Sequence, residues 1–365
     1  MENFKMDKLE KARIEINEAD KQIAELFCKR MNAVRAVAEY KMERGLPILD
    51  AAREEAVVVK NSAFVEDEEL RAYYVNFIKY TMELSRNFQH KLISGARVAY
   101  SGIPGAFASL AARKLFPDAE HVAYPSFEEA YNAVVNGDCD SVVLPIENSY
   151  AGEVGQVMDL VFFGSLYINN VMGLAVTQNL LGVPGARLED IKQAVSHPQA
   201  LEQSGVFLRE HNITPVQFSN TALAAKHVME LGDKSVAAIA GDDAAKLYGL
   251  EVLAHGINES NMNTTRFATL SRVESKRDGR PDDNFMLVFT VKNEAGALAK
   301  AMDIIGKYGY NMRGLHSRPM KSLMWQYYFY LEAEGDIRTE KGKKMMEELK
   351  AVCDKLKLVG SYAVK

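Results

Sequence analysis

Arg30 and Lys41 stand eleven residues apart, which at about 100° per residue leaves them about 20° apart on one helix face, on or beside an apolar stripe. An unpaired cation near a core costs several kcal/mol, so the pair predicts a bound anion or a carboxylate partner. Asp50, Arg53 and Glu54 fall at i, i+3 and i+4, and Ser85 and Gln89 at i and i+4, so each set shares one face of its own helix. By spacing alone these residues fit an anion pocket and a helical bundle with internal ion pairs equally well.

Later runs carry a different chemistry, of amides, hydroxyls and single charges. Gly102-Ile103-Pro104-Gly105-Ala106-Phe107 leads into a helix and could offer backbone N–H groups to an anion, but it lacks the Gly-x-Gly-x-x-Gly spacing of a dinucleotide loop. Pro145-Ile146-Glu147-Asn148-Ser149 sets a carboxylate, an amide and a hydroxyl at the end of a strand, Ser196-His197-Pro198-Gln199 ends another, and Asn263-Thr264-Thr265-Arg266-Phe267 stands further on. Each has an ordinary explanation by itself: Asn148 and Ser149 as turn residues, His197 as a structural histidine before Pro198, Arg266 as half of an ion pair.

Positioning these groups takes three kinds of element. Ile16, Ile23, Arg30 and Val37 repeat every seven residues, with Asp20, Phe27, Val34 and Lys41 in the adjacent row, which predicts a long helix with a polar flaw from about Leu9. Gly45 and Pro47 break it, Asp50 can begin a second helix, and a third runs from about Asp67 to beyond Gln89. From Ala96, β-rich runs at 97–100, 141–146, 174–176, 191–195, 236–239 and 266–270 alternate with helical stretches. That alternation predicts an α/β domain with largely parallel strands and functional residues just beyond their carboxyl ends. The polar run 274–283, with Gly279 and Pro281, reads as a linker. After it, strands and helices between Phe285 and Ala363 follow the βαββαβ order of a ferredoxin-like unit. The chain is expected to be multidomain, with domains at 1–94, 95–275 and 284–365.

At 365 residues the chain exceeds what one core usually organises, and 48% apolar with 25% charged residues suits several packed cores. A charged amino terminus and the lack of about 18 consecutive apolar residues point to a cytoplasmic protein with no membrane partner. The three cysteines, Cys28, Cys139 and Cys353, are far apart and form no disulfide framework or Cys-x-x-Cys site. A net charge of −5 gives no general attraction to nucleic acid. No metal and no cofactor is expected.

The first segment resembles the small all-helical chorismate mutase domain. Arg13, Asp20, Arg30, Lys41, Asp50, Arg53, Glu54, Ser85 and Gln89 fall where that family has its charged and polar pocket. The resemblance implies that Arg30 and Arg13 hold the carboxylates of chorismate and that Lys41 and Gln89 address its ether oxygen. Arg53, Ser85, Asp50 and Glu54 complete or orient the pocket. A Claisen rearrangement needs no nucleophile, metal or proton transfer, only a compressed conformer and stabilised negative charge, which arginine forks and a lysine supply. Arg13 lies about 25 Å from Arg30 along the helix, so a homodimer or higher homo-oligomer, with Arg13 donated across the interface, is expected.

The later motifs, in this order, resemble prephenate dehydratase across nearly the whole second segment. The resemblance implies two α/β lobes, like a periplasmic solute-binding protein, with prephenate between them. Thr265 is then the central catalytic hydroxyl and Arg266 is linked to substrate binding. Asn148, Ser149, Ser196 and Gln203 line the cleft, with Glu147 and His197 as weaker candidates. Ser204 stands where many relatives carry a cysteine, which argues against thiol chemistry there.

The last segment resembles the regulatory ACT domain of the same enzymes, an α+β fold. Gly296-Ala297-Leu298 and His316-Ser317-Arg318-Pro319 match its two phenylalanine-binding motifs, with His316 where family members often have glutamate. The expected function is two steps of phenylalanine biosynthesis, chorismate to prephenate to phenylpyruvate, with L-phenylalanine as feedback effector. An arogenate dehydratase with mutase activity and a non-catalytic ligand sensor are the alternatives. Truncation after Arg277 is expected to leave a dehydratase that phenylalanine no longer inhibits.

Overall fold

The computed structural model describes residues 8–259, 263–275, 284–320 and 327–362, so the linker positions 276–283, Trp325 and Ala363 lie outside the described residues. The chain divides after Ala96 into two compact units.

The first unit is three helices, α1 (Lys8–Arg44), α2 (Ala51–Ser62) and α3 (Glu68–Ser94). Gly45, at φ +61°, follows the end of α1 in the left-handed conformation that glycine tolerates. Asp50 caps α2 by accepting from Arg53 N at 3.0 Å, and Asp67 caps α3 by accepting from Glu69 N and Leu70 N at 2.9 and 3.1 Å. α3 buries Ile78, Thr81, Met82, Ser85 and Gln89, whereas α1 buries just Ala38 among the described residues. Ile16 and Ile23, from the seven-residue repeat, stay 59% and 49% exposed. The stripe that the sequence marks for burial is thus uncovered within one chain.

The second unit opens with β1 (Arg97–Ser101), α4 (Phe107–Leu115), β2 (Glu120–Tyr124), α5 (Phe127–Val135), β3 (Ser141–Asn148), β4 (Gly152–Glu153), α6 (Gly155–Phe163) and β5 (Tyr167–Ala175). It continues through β6 (Asn179–Gly182), β7 (Gln193–Ser196), α7 (Pro198–Gln203), α8 (Gly205–Glu210), β8 (Thr214–Gln217), α9 (Thr221–Leu231), β9 (Val236–Ala240), α10 (Asp242–Tyr248) and β10 (Glu251–Ala254). β11 (Thr264–Ser271) returns to the first lobe. The remainder is β12 (Asn284–Thr290), α11 (Ala297–Lys307), β13 (Met312–Pro319), β14 (Tyr327–Glu334), α12 (Glu340–Val352) and β15 (Lys355–Tyr362).

Two sheets make two α/β lobes. The second lobe is built on β10-β6-β9-β7-β8, and the first lobe contributes β5-β11-β3-β1-β2 to a longer sheet. The expectation of largely parallel strands needs correction. β1 runs parallel to β2 and β3, and β7 to β8 and β9, but β11 is antiparallel to both β3 and β5, and β6 to β9 and β10. The reason is topological: β11 re-enters the first lobe from the second, so it starts at the edge where β3 ends. Antiparallel pairing therefore sets Thr265 opposite Asn148.

The βαββαβ segment lays β13-β14-β12-β15 onto the same sheet, through a parallel pairing of β15 with β5 at Gly360 and Ile168. A side chain at Gly360 would lie 2.0 Å from the Ile168 carbonyl oxygen, so the junction needs glycine. Tyr328 also stacks on Phe162 of α6 at 4.0 Å between ring centroids. Residues 95–275 and 284–365 thus share one sheet. Truncation after Arg277 would also remove Glu332 from Arg266, Arg318 from Glu153 and Asp159, and Tyr328 from Phe162.

Candidate active sites

In the helical unit, Arg30 on α1 reaches α3. Its Nη1 donates to Ser85 Oγ and, at 3.3 Å, to the Thr81 carbonyl, and burial lowers its pKa. Ser85 Oγ donates in turn to Thr81 O at 2.7 Å, and one turn on Gln89 is buried with its Oε1 unpartnered among the described residues. An unsatisfied buried acceptor is costly without a ligand. Lys41 Nζ donates to the Ile48 carbonyl at 2.5 Å, across the turn that Asp50 closes. Glu54 pairs with Arg86, both carboxylate oxygens 2.5 Å from Nη1, beside a cleft of about 720 Å³ between α2 and α3. Arg86 stands outside every motif that the sequence offers. Arg13 and Arg53 are exposed, and Arg13 is not brought to Arg30, because α1 is continuous between them.

In the α/β unit, one chain of amides links the lobes. Asn148 Nδ2 donates to Thr265 Oγ1 at 2.9 Å and to Asn263 Oδ1 at 2.8 Å, and Asn263 Nδ2 donates to Gln203 Oε1 at 2.9 Å. Asn148 Oδ1 accepts from Tyr150 N and Ala151 N at 3.0 and 2.9 Å, which fixes the amide's orientation. Gln203 Nε2 is buried and finds no partner among the described residues. Since an amide hydrogen already occupies a lone pair of Thr265 Oγ1, the hydroxyl hydrogen is directed away from Asn148. The network therefore offers donors at both ends. Asn263 belongs to no expected site, although its place two residues before Thr265, on the same face of an extended run, was the available signal.

Other expected cleft residues sit differently. Ser149 is exposed and its Oγ accepts from Thr264 N at 3.0 Å, pinning β11 to the end of β3. Ser196 is fully buried and donates to the Ile239 carbonyl at 2.6 Å, so it braces β7 against β9. His197 is exposed and caps α7, its Nδ1 accepting from Gln199 N at 3.3 Å, which is the ordinary role. Ser204 is fully buried. The Gly102–Phe107 loop is a contact between lobes: Tyr248 OH donates to Pro104 O at 2.9 Å, Gly105 packs on α10, and Arg113 pairs with Asp243.

A profile of chorismate mutase type II matches residues 12–90, and one of prephenate dehydratase matches residues 98–275. The bifunctional chorismate mutase/prephenate dehydratase of Neisseria gonorrhoeae is 31% identical over 95% of this chain and 94% of that protein. The chain belongs to the bifunctional chorismate mutase/prephenate dehydratase family. It rearranges chorismate to prephenate and converts prephenate to phenylpyruvate, two consecutive steps of phenylalanine biosynthesis. An Arabidopsis thaliana protein described as arogenate dehydratase/prephenate dehydratase 1 is 34% identical over 74% of this chain and 72% of its own length. The crystal structure of Arthrobacter aurescens prephenate dehydratase in complex with L-Phe superposes with a TM-score of 0.67 at 28% identity, covering 73% of this chain and 89% of that one. No described helix of this bifunctional enzyme is long and apolar enough to cross a membrane, and no described cluster of three or more His, Cys, Asp or Glu could hold a metal ion.

Of the dehydratase residues, Arg266 departs furthest from expectation. Successive residues of a strand face opposite ways, so with Thr265 in the amide network Arg266 points to the other face of the sheet. There Nη1 donates to Glu147 and Glu332 at 2.8 Å and Nη2 to Glu332 at 2.6 Å. Burial opposes its charge, but the bonds to Glu332 and Glu147 outweigh that and raise its pKa. Arg266 is therefore held by Glu147 of β3 and Glu332 of β14, on the face of the sheet opposite the amide network.

The second expected effector motif is engaged likewise. Arg318 donates from Nε to Asp159 at 3.0 Å and from Nη1 to Glu153 at 3.0 Å, and His316 Nδ1 lies 3.3 Å from Glu153. Tyr328 OH and Tyr330 OH donate to Asp159 and Glu153 at 2.6 and 2.8 Å. Gly155 makes room for this guanidinium, and a side chain there would displace Arg318 from its present place. At Gly296, by contrast, a Cβ would meet nothing within 4 Å, and the φ of +82° at the start of α11 is what calls for glycine. A cavity of about 490 Å³ opens beside it, lined by Leu298, Val291, Met320, Tyr327 and Phe329 with Lys292, Glu294, Asp354 and Lys355. Of the seven residues expected to bind the effector, just Leu298 lines it.

Proposed function

We propose that Thr265, Asn148, Asn263 and Gln203 form the dehydratase site, carried by the unbroken amide chain from Thr265 to Gln203. Prephenate loses carbon dioxide and hydroxide together: the electron pair of the breaking C–C bond enters the ring as the C–O bond to the hydroxyl breaks. The Thr265 O–H, oriented by Asn148, donates to the departing oxygen, while the free N–H of Gln203 meets a substrate carboxylate. Ser149 steadies the strand ends. Given prephenate and arogenate in turn, the purified protein should turn over prephenate with the higher kcat/KM, and a preference for arogenate would reassign the substrate.

The mutase site is proposed to combine Arg30, Lys41, Ser85 and Gln89 of one chain with Arg13 of a second copy, with Asp50, Arg53 and Glu54 shaping its wall. The uncovered α1 stripe around Ile16 and Ile23 supports a homodimer, since burying such a stripe is favourable by about 25 cal/mol per Å², and the enzyme is proposed to be cytoplasmic. Sedimentation showing a monomer with full mutase activity would exclude that site.

The domains are proposed as residues 1–94, 95–275 and 284–365, the last an ACT domain that senses L-phenylalanine. Its cavity beside Leu298 offers an apolar wall for a ring, lysines for a carboxylate and acidic groups for an ammonium. Gly296 and Ala297 set its helix entrance, and the strand from His316 through Ser317 and Arg318 to Pro319 carries the signal to Glu153 and Asp159. Calorimetric titration of the full chain with L-phenylalanine should show saturable binding. Its absence at millimolar concentration would sink the regulatory reading.

A further inference from the structure

In the helical unit, α3 serves its two neighbours with two rows of side chains. Thr81 and Ser85, four residues apart, share the face that meets Arg30 of α1, which bonds to the Thr81 carbonyl and to Ser85 Oγ. Lys79, Glu83 and Arg86, at i, i+4 and i+7, line the cleft against α2, and Arg86, the residue after Ser85, is turned about 100° round the helix from it. The charges are sorted in the same way. Among the described residues Arg30 and Lys41 have no carboxylate partner: Arg30 is bonded to neutral oxygens, and Lys41 Nζ donates to the Ile48 carbonyl. Glu54 of α2, the carboxylate in the wall of the proposed mutase site, has both oxygens 2.5 Å from Arg86 Nη1, and the two side chains are each 28% exposed. A pocket built from arginine, lysine and glutamate tends to neutralise itself, because opposite charges attract strongly once partly removed from water. Here a third cation, from outside the anion pocket, has taken the carboxylate.

We propose that Arg86 is a positioning residue for the chorismate rearrangement, holding Glu54 on the α2 side of α3 so that Arg30 and Lys41 stay free for the anionic substrate. Without Arg86, Glu54 either pairs with one of those cations, which the substrate must then displace, or stands unpaired and repels a dianion. Both weaken binding of the ground state and the transition state alike, because the two carboxylates of the substrate keep their charge through the rearrangement. The loss therefore falls on KM and leaves kcat in place. It also depends on Glu54 itself, since with a neutral amide at that position Arg86 has no charge to hold back. The inference rests on the reading of Arg30 and Lys41 as the mutase site.

The test uses the full chain and follows prephenate formation over a range of chorismate concentrations, with dehydration of prephenate measured in parallel. Arg86→Met should raise KM for chorismate roughly five- to twentyfold with kcat within about threefold, and leave dehydratase turnover unchanged. Arg86→Lys, which keeps the charge, should recover most of the loss. A Glu54→Gln background separates holding a carboxylate from packing two helices: there Arg86→Met should raise KM less than about twofold, whereas a packing role gives the same rise on both backgrounds. Arg86→Gln gives the answer if Arg86→Met does not fold. KM within about twofold of wild type in the folded Arg86 variant, or an equal rise in the Glu54→Gln background, overturns the proposal. Arg30→Ala is the control: if it keeps full mutase activity, the site reading has failed, whereas an inactive Arg30→Ala beside a normal Arg86→Met defeats the positioning role alone.

Discussion

In the helical unit the candidate residues are mostly charged and spread over surfaces: Arg13 and Arg53 are exposed, and Arg30 and Lys41 lie on a helix that buries just Ala38 among its described residues. In the α/β unit the residues of the proposed site are neutral: Asn148, Asn263 and Gln203 are buried, and a chain of hydrogen bonds joins them to Thr265. The contrast follows the chemistry. A rearranging dianion asks for cations, which resist burial until the ligand or a second chain arrives. A departing hydroxide asks for one oriented donor, which a buried amide network can hold within a single chain.

The sharpest break between the two sites should come from Thr265→Ala. Phenylpyruvate formation should fall on the order of 10³-fold while prephenate accumulates at the wild-type rate, as chromatography of a chorismate digest would reveal. Loss of both activities in a folded protein would end the separation of sites.

Arg13→Ala and Arg30→Ala should each depress mutase turnover by roughly 10²- to 10³-fold, and the contrast in chain number predicts complementation. Random exchange between equal amounts should restore about a quarter of the wild-type sites, because each mixed dimer carries one intact pocket. Demonstrated exchange without recovered activity would show that one chain suffices.

A smaller effect tests the amide chain. Asn263→Ala leaves Gln203 and Asn148 without a shared partner, at about 1–3 kcal/mol, or roughly 10- to 100-fold in dehydratase kcat/KM. The mutase rate should not move, and an unaffected dehydratase would remove Asn263 from the site.

The smallest effect is on pH-dependent stability. Burial raises the Glu332 carboxyl, but the hydrogen bond and charge of Arg266 outweigh it and hold it below the usual carboxylate range. A depressed folded-state value contributes stability that is present above the unfolded value, about 4.3, and is lost as pH falls through the folded one. Acid unfolding followed by fluorescence of the sole tryptophan, Trp325, should lose part of its steepness below about pH 4.3 in Glu332→Gln. An identical acid slope in the two proteins would contradict that linkage.

Much of the architecture was legible from local rules. Gly45 and Pro47 punctuate the helices, Asp50 and Asp67 cap them as their positions suggest, and the last segment follows the expected βαββαβ order. The strands β2, β4, β6, β8 and β10 were not: pieces of two to five residues show no period, so among strands this short just those with a β-rich composition, as in β1, β7 and β9, stand out. The motifs of Thr265 and Asn148 come together in one hydrogen bond, whereas Ser196 and His197, in a motif that stands out as clearly, make a buried brace and a helix cap.

By itself the sequence determined the element types and the supply of functional groups, since helix caps, breakers and residue chemistry act over a few neighbours. It also determined that Arg13 and Arg30 cannot meet within one chain, a consequence of helix rise alone. The tertiary structure decided which groups face one another. The return of β11 antiparallel to β3 set Thr265 against Asn148, and the alternation of a strand then turned Arg266 away from the cleft towards Glu332, sixty-six residues further along the chain. Contacts at such separation depend on how the sheet closes, which no local pattern of residues encodes.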